Sequence, residues 1–297
     1  MTLWTRAPAS TSRRRRFSGK EALIAYACLL PSIVVFAVFA YYPLYALVQE
    51  ALRQSNSFGT ASRYVGFSQF SSVLSSGEFL SGLAHSALYV VFTVPVGLVA
   101  GTVLAVSAHR RLRGIKIFQT IFTSTVATST AVSSVIFFVL INPEVGIFRT
   151  NILNDPRWAL LGVSFSSMWA NLGLCFIIVL AGLQAVPDEL IEAATLDGFG
   201  AFRRFLRVTL PLLSPVYLFL IVVLSVFGFQ AYAQIVVLTQ GGPAGATQTL
   251  VYDIFNSQTP NLQGVGAVMS LGLLVVTAMA AAVQFSILQR RVQYGTR

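Results

Sequence analysis

Six long apolar stretches dominate the sequence, and none of them contains Lys, Arg, Asp or Glu. A helix that crosses a bilayer needs about 20 consecutive, mostly apolar residues. Each stretch is that long, and they cover residues 22–49, 86–108, 117–141, 160–186, 212–238 and 265–288. Backbone groups in hydrocarbon must pair within their own segment, and the short alternating strands of a β-barrel are missing from the pattern. The sequence therefore predicts an all-α, polytopic membrane protein with six transmembrane helices.

The basic residues are distributed unevenly between the two sides of this predicted bundle. Only 10% of the residues are charged, against about a quarter in soluble domains. Most of the 20 Lys and Arg side chains precede the first stretch, follow the sixth, or lie between the second and third or the fourth and fifth. Only four lie on the other side, namely Arg53, Arg63, Arg149 and Arg157. The positive-inside rule then places both termini in the cytoplasm, and the net charge of +10 indicates topology rather than a nucleic-acid partner.

These boundaries predict three parts of the chain. Residues 1–21 form a basic cytoplasmic segment that lies against anionic lipid, 22–289 form the transmembrane domain, and 290–297 form a cytoplasmic tail. The first apolar stretch is longer than the 7–15 residues, roughly, of a signal-peptide core, so we interpret it as a retained helix. Cys28 and Cys175 lie within predicted spans, where buried packing is expected. Two isolated cysteines give no metal-ligand spacing, and no metal site is predicted.

A charged, glycine-containing segment separates the fourth and fifth apolar stretches on the cytoplasmic side. Residues 192–211 read EAATLDGFGAFRRFLRVTLP and contain five charged side chains. Gly198 and Gly200 permit a sharp turn. The Phe and Arg residues that follow recur at the spacing of a short amphipathic helix lying across the membrane surface. Taken alone, this pattern is also typical of an interfacial anchor.

The third stretch is rich in hydroxyl groups. Its centre reads TIFTSTVATSTAVSS and carries nine Ser and Thr side chains from Thr120 to Ser134. Small polar residues of this kind are typical of close helix–helix packing in membranes. The alternative interpretation is a polar wall along a translocation path.

The charged segment resembles the EAA loop of ABC importer permeases. The matching positions are Glu192, Ala193, Ala194, Gly198, Val208, Leu210 and Pro211, with Val208 where isoleucine is commoner. The flanking stretches LAGLQAVPDEL and TQGGPAGAT, and LLPSIVVFAVFAYYPL near the start, resemble the carbohydrate-uptake branch of that family, the maltose and glycerol-phosphate type of inner-membrane subunit. The resemblance covers residues 22–290.

This resemblance implies that 188–211 form a coupling segment, including a coupling helix that sits on a cytoplasmic ATPase. The residues implied in coupling are Glu192, Ala193, Ala194, Asp197, Gly198, Phe202, Arg203, Arg204, Arg207 and Pro211. It also implies a second permease subunit that is a different chain, two copies of the ATPase, and an extracytoplasmic substrate-binding protein that docks on loops 50–85, 142–159 and 239–264. The phosphate-loop pattern G-x-x-x-x-G-K-[ST] does not occur in the sequence, so ATP and Mg²⁺ are expected in the partner and no cofactor in this chain.

Six residues in the inner spans are candidates for the solute pathway. They are Trp169, Asn171, Phe227, Gln230, Tyr232 and Gln234. Aromatic faces and amides suit a sugar, although each of these side chains also fits a purely structural role. A phosphorylated solute calls for Arg or Lys, which the spans lack, so a neutral sugar is favoured and a glycerol-phosphate or glycerophosphodiester importer is the alternative. An ion-driven carrier is disfavoured because the spans lack acidic residues. The predicted location is the inner membrane of a bacterial-type cell.

Overall fold

The structure is a computed structural model that describes residues 19–55, 62–109 and 114–289. The expectations for residues 1–18 of the basic segment, for Arg110, Arg111 and Arg113, and for the tail 290–297 lie outside these residues. The contacts divide the chain into two compact units, Met1–Gln49 and Glu50–Arg297.

The described chain is almost entirely helical. Its α-helices are α1 (Gly19–Phe36), α2 (Tyr42–Ala51), α3 (Ser68–Leu74), α4 (Gly77–Ala108), α5 (Ile115–Ser124), α6 (Thr130–Ile141), α7 (Ala159–Gln184), α8 (Asp188–Leu196), α9 (Ala201–Arg204), α10 (Leu210–Leu212), α11 (Ser214–Phe229), α12 (Ala233–Leu238), α13 (Leu250–Asn256) and α14 (Gln263–Gln289). Short 3₁₀ turns cover Thr125–Ala127 and Asn151–Leu153. The all-α prediction missed one antiparallel strand pair, β1 (Arg53–Ser55) with β2 (Ser62–Tyr64), in which Arg53 lies opposite Tyr64.

Among the described residues, four helices are long and apolar enough to cross a membrane. They are Tyr26–Ala51, Gly77–Ala108, Ala159–Gln184 and Gln263–Gln289. Two bent helix pairs raise the number to six if each pair is one span. They are Ile115–Ala127 with Thr130–Ile141, bent by 105°, and Ala201–Leu212 with Ser214–Phe229, bent by 70°. The prediction of a helical membrane protein with several spans is confirmed.

Two prolines inside helical segments are accommodated by π-helical turns. One turn covers Ala37–Tyr41 and ends with the Tyr42 N–H donating to the Ala37 carbonyl, directly before Pro43. The other covers Phe205–Thr209 and ends with the Leu210 N–H donating to the Phe205 carbonyl, directly before Pro211. Proline has no N–H to donate, and the wider turn lets the helix continue through it.

The third and fifth apolar stretches are not continuous helices, which corrects the expectation for residues 117–141 and 212–238. In the third, Thr128 is extended and Ser129 caps α6, its Oγ accepting from the Val132 N–H at 3.3 Å. Ser and Thr side chains offer the backbone such alternative partners and favour helix ends. In the fifth, α11 ends at Phe229 and the chain turns before α12 begins at Ala233.

Helices α4, α7 and α11 form the main apolar core of the second unit. Cys175, Phe176 and Val179 of α7 are fully buried there, beside Leu220 of α11. The α4 and α7 backbones approach closely at Gly101, where a Cβ atom would overlap the Cβ of Cys175. Small residues at such crossings permit close helix packing in membranes.

Helix α13 lies in the predicted external loop, and hydrogen bonds connect its start to α4 and to the turn between α11 and α12. The Leu250 N–H donates to Ser86 Oγ of α4 at 2.9 Å, and Thr249 Oγ1 donates to the Ala231 carbonyl between α11 and α12 at 3.0 Å. Asp253 is only 4% exposed and faces Gly82 of α4. Burial raises the pKa of Asp253 from 3.8 to about 7, and the Glu78 carboxylate adds to the rise.

Replacement of Gly101 by Ala should loosen the α4–α7 contact. The new methyl group must displace α7, and overpacking of this kind costs about 1–3 kcal/mol of unfolding free energy. Thermal unfolding of the detergent-solubilised protein measures the loss. Gly77→Ala is the matched control, because a Cβ there meets nothing within 4 Å. Equal midpoints for the two variants would contradict the close approach.

Replacement of Asp253 by Asn should make stability less sensitive to pH. The native carboxyl holds its proton up to about pH 7, whereas the unfolded carboxyl loses it near its ordinary value, so stability falls as pH rises between these values. The unfolding midpoint of Asp253→Asn minus that of the native protein should therefore become more positive between pH 5 and pH 8. Glu78→Gln removes only the smaller cause and should give a smaller change. If the difference in unfolding midpoint does not change with pH, burial does not raise the pKa of Asp253.

Candidate functional site

A cavity of about 380 Å³ lies where the two interrupted stretches meet α4 and α7. Its lining consists of uncharged side chains from α4, α6, α7 and α11 and from the turn leading into α12. They are Tyr89, Thr93, Thr130, Ser167, Ala170, Asn171, Phe227, Gly228, Gln230, Ala231, Tyr232, Ala233 and Gln234. This mixture of apolar surface and a few convergent polar groups is typical of a small-molecule site.

The cavity lies where α11 ends and α6 begins. Non-helical backbone at membrane depth is tolerated only inside protein or beside a polar cavity, since its N–H and C=O groups need partners. The turn after α11 meets this requirement in part through Thr249, whose hydroxyl reaches the Ala231 carbonyl. Thr130, at the start of α6, contributes to the opposite wall.

The structure brings five of the six predicted pathway residues together around this cavity. Asn171 comes from α7, Phe227 from α11, and Gln230, Tyr232 and Gln234 from the turn and α12. The sixth residue, Trp169, is not part of this lining. Its ring packs against Phe137 of α6 with centroids 6.2 Å apart.

Sequence reasoning missed a buried hydrogen-bonded trio in the same wall. Tyr89 Oη donates to Ser167 Oγ at 2.7 Å, and Gln234 Nε2 donates to the same oxygen at 2.7 Å. Tyr89 and Ser167 sit in apolar spans, so their pattern indicated only packing. The sequence could have indicated the trio, because a hydroxyl group buried in a membrane costs free energy unless it has a polar partner.

Most hydroxyl groups that bond in the hydroxyl-rich stretch donate to backbone carbonyls of the same stretch. Thr120, Ser124 and Thr125 donate to carbonyls three or four residues earlier, and Ser133 and Ser134 both donate to the Thr130 carbonyl. Of its side chains, Thr130 lines the cavity. The close approach of Thr125 to Gly173 of α7 agrees with helix packing, and a polar wall along a translocation path stays a prediction.

The charged segment folds as two short helices around a glycine turn. Helix α8 begins at Asp188 and ends in a Schellman motif, in which the Phe199 N–H donates to the Ala194 carbonyl and the Gly198 N–H to the Thr195 carbonyl. Gly198 has φ +77°, a left-handed conformation that glycine adopts without steric cost. Gly200 has an ordinary extended conformation. Only one of the two glycines is thus required by the turn.

Two side-chain contacts connect the second helix to the first helix and to the turn between them. Arg204 Nη1 donates to Thr195 Oγ1 at 2.6 Å, and the Arg203 guanidinium lies 4.5 Å from the centre of the Phe199 ring. A cation over an aromatic face is attracted by the ring's electron density. The predicted amphipathic helix begins at Ala201, directly after Gly200, and runs through the π turn to Leu212.

The predicted coupling residues are mostly exposed on this segment. Those at the surface are Glu192, Ala193, Asp197, Gly198, Phe202, Arg203 and Arg207. Ala194 is buried, whereas Arg204 and Pro211 are half-buried. Leu196 and Phe202 are 90% and 76% exposed. Exposed apolar side chains among charged ones are available for contact with a partner protein.

The sequence is similar to permease proteins of one transport system in several bacteria. It is 33% identical over 284 residues to the sn-glycerol-3-phosphate transport system permease protein UgpA of Agrobacterium fabrum, covering 92% of this chain and 97% of that protein. The UgpA protein of Yersinia enterocolitica is 31% identical over 282 residues, covering 91% and 96%.

Solved structures share the fold. A bacterial ABC transporter involved in the import of the acidic polysaccharide alginate aligns with a TM-score of 0.77 at 21% identity, covering 91% of this chain and 96% of that one. The alginate transporter in complex with an alginate pentasaccharide-bound periplasmic protein aligns with a TM-score of 0.78 at 20% identity, covering 93% and 98%.

The model of the family described as binding-protein-dependent transport system inner membrane component matches residues 93–294. Because this match covers most of the sequence, and relatives of similar length are one-third identical along nearly all of it, the chain belongs to this family of inner-membrane permease components of ABC importers.

Proposed function

We propose that this chain forms half of the translocation pathway for a sugar or sugar-like solute, and that the cavity between α4, α7 and α11 lies on that pathway. The observation that carries the proposal is the cavity itself, which is lined by hydroxyl, amide and aromatic side chains at the point where two spans are interrupted. Interrupted helices at membrane depth are a recurring way to build solute sites in transporters.

The topology proposed is six spans with both termini in the cytoplasm. The pair Ile115–Ala127 with Thr130–Ile141 counts as one span and Ser214–Phe229 belongs to another, so residues 22–289 form the permease domain between a basic segment, 1–21, and a tail, 290–297. The positions of the basic residues support this orientation. The segment 188–211 then faces the cytoplasm.

The segment 188–211 is proposed to couple the spans to a separate ATPase. Its exposed Leu196 and Phe202 offer apolar contacts, and Glu192 and Arg203 offer charged ones. The Schellman turn and the Arg204–Thr195 hydrogen bond support a fixed shape for the segment, so that movement of the partner is transmitted rather than absorbed. Coupling of this kind needs a rigid element with two positions.

The proposed assembly contains a second, different permease, two copies of the ATPase and an extracytoplasmic binding protein that delivers the solute. This chain carries no cofactor in the proposal, and ATP and Mg²⁺ belong to the ATPase. The complex of the alginate transporter with a periplasmic protein supports a docked binding protein. The external loops 50–85, 142–159 and 239–264 are its proposed contact.

The solute class has two candidates. The uncharged lining favours a neutral sugar or polyol, because a phosphate group would normally meet Arg or Lys. The names of the similar permeases favour glycerol phosphate. An ion-driven mechanism is not favoured, since the family is binding-protein-dependent.

The proposed topology predicts which cysteine positions are reached from outside the cell. In a background with Cys28→Ala and Cys175→Ala, the variant Arg203→Cys should react with a membrane-impermeant maleimide only after the cells are permeabilised. Arg157→Cys, exposed in the loop 142–159, should react in intact cells. Labelling of Arg203→Cys from outside would overturn the orientation and the coupling role together.

The coupling role predicts a specific defect for Gly198→Ala. A side chain at φ +77° costs about 1–2 kcal/mol and should distort the turn that shapes the segment. In proteoliposomes with the complete transporter, ATP-driven uptake of sugars, polyols or glycerol phosphate should fall at least several-fold, with normal membrane insertion. Gly200→Ala is the control, because its φ of −63° suits any residue. Unchanged uptake in Gly198→Ala, or an absence of any ATPase in the purified complex, would contradict the proposal.

A further inference from the structure

Helices α13 and α4 approach each other so closely at Gly82 that no side chain fits there. A Cβ atom on Gly82 would lie 2.5 Å from Asp253 Oδ2 and 3.2 Å from the Cα atom of Leu250. One turn further along α4, Ser86 Oγ accepts the Leu250 N–H at 2.9 Å. The carboxyl group of Asp253 therefore lies within the contact that attaches α13 to α4.

The Asp253 side chain has no partner that would stabilise a negative charge. The residue is 4% exposed, and among the described residues none forms a hydrogen bond or an ion pair with its carboxyl group. An ionised carboxylate in such a position is costly, because it loses water and gains no compensating charge or donor. The protonated form is therefore the one that fits the contact with α4.

The titratable groups around Asp253 do not offset this cost. Burial raises the pKa of Asp253, and the exposed Glu78 of α4, which carries a charge of the same sign, raises it further. Elsewhere on α4, His85 contacts a loop carbonyl through Nδ1 and Tyr89 lines the cavity. Tyr252 of α13 donates to another loop carbonyl, and α14, which also packs on α13, has no titratable residue.

The attachment of α13 also affects the cavity, through Thr249. This residue directly precedes α13, and its Oγ1 donates to the Ala231 carbonyl at 3.0 Å. Ala231 lines the cavity from the turn between α11 and α12. A carbonyl in a non-helical turn depends on such a partner, so movement of α13 away from α4 removes a support of the cavity wall.

We propose that protonated Asp253 keeps α13 attached to α4, and that ionisation of Asp253 releases α13 and lowers solute uptake as the external pH rises. The effect on uptake rests on the proposed function and topology, which place residues 239–264 on the external side, whereas the attachment itself does not.

The direction of the effect follows from the two forms of the helix. In the attached form the pKa of Asp253 is about 7, whereas in the released form the carboxyl returns to its ordinary pKa of 3.8. The attached form therefore binds the proton more tightly, and attachment weakens as pH rises from about 4 to about 7 and changes little above that.

Hydrogen–deuterium exchange of the complete transporter in lipid nanodiscs measures the release of α13. Native protein and Asp253→Asn are compared at the same pH, so that the intrinsic pH dependence of amide exchange cancels. Exchange of residues 249–257 in the native protein, divided by that in the variant, should grow roughly tenfold or more between pH 5 and pH 8. The same ratio for residues 163–183 of α7 should stay constant.

Three further variants test the contact itself. Gly82→Ala should give fast exchange of 249–257 at every pH, because the new Cβ overlaps Asp253 and the Leu250 backbone. Gly77→Ala is the matched control and should behave like the native protein, since its Cβ meets nothing within 4 Å. Glu78→Gln should reduce the growth with pH without abolishing it. This variant keeps the test informative if Asp253→Asn fails to assemble.

Uptake is measured in proteoliposomes with the internal pH fixed and the external pH varied from 5 to 8. The probes are glycerol, sn-glycerol-3-phosphate, maltose and trehalose, each delivered with the binding protein. Uptake by the native protein, divided by that of Asp253→Asn, should fall several-fold as the external pH rises. The ratio removes the pH dependence of the ATPase and of the binding protein.

The outcomes separate the attachment from the transport function. Equal exchange of 249–257 in native protein and Asp253→Asn at every pH would overturn the inference. Release of α13 with a constant uptake ratio would overturn its effect on transport. A response to internal rather than external pH would overturn the proposed topology. Absence of ATP-driven uptake of every probe would overturn the proposed function, while the exchange experiment would still test the attachment.

Discussion

Backbone N–H and C=O groups need a partner where water is scarce, and four helix interruptions in the described part of the chain supply one. At Pro43 and Pro211 the chain meets this need with π-helical turns whose last N–H reaches back five residues. At the start of α6 the Ser129 hydroxyl takes the place of the missing carbonyl, and after α11 the Thr249 hydroxyl bonds the Ala231 carbonyl. The partner therefore comes from the backbone at the two π-helical turns and from a side chain at the other two interruptions.

The cavity follows from the same constraint. Where α11 ends and α6 begins, the non-helical backbone lies beside a cavity lined by hydroxyl and amide groups. Ser167 illustrates the point. A serine in an α-helix usually satisfies its proton on its own helix, as Ser164 does, but Ser167 is hydrogen-bonded from both sides by Tyr89 and Gln234.

The charged segment is exposed at a surface, and its proposed role needs a fixed shape there. The turn at Gly198 and the contacts of Arg203 and Arg204 hold the segment's two short helices together. Leu196 and Phe202 remain exposed. A segment that stabilises itself locally and leaves its apolar side chains uncovered is suited to transmit movement to a partner, in keeping with the proposed role.

The sequence by itself determined the membrane class, the approximate positions of the spans and the turn at Gly198, because hydropathy, charge bias and glycine conformation are local properties. It also identified five of the residues around the cavity. It did not determine that the third and fifth stretches are interrupted, that Trp169 packs against Phe137, or that Tyr89 and Ser167 join Gln234. Those outcomes depend on which helix faces which, and partners 67 and 78 positions apart in the chain are brought together only when α4, α7 and α12 pack in three dimensions.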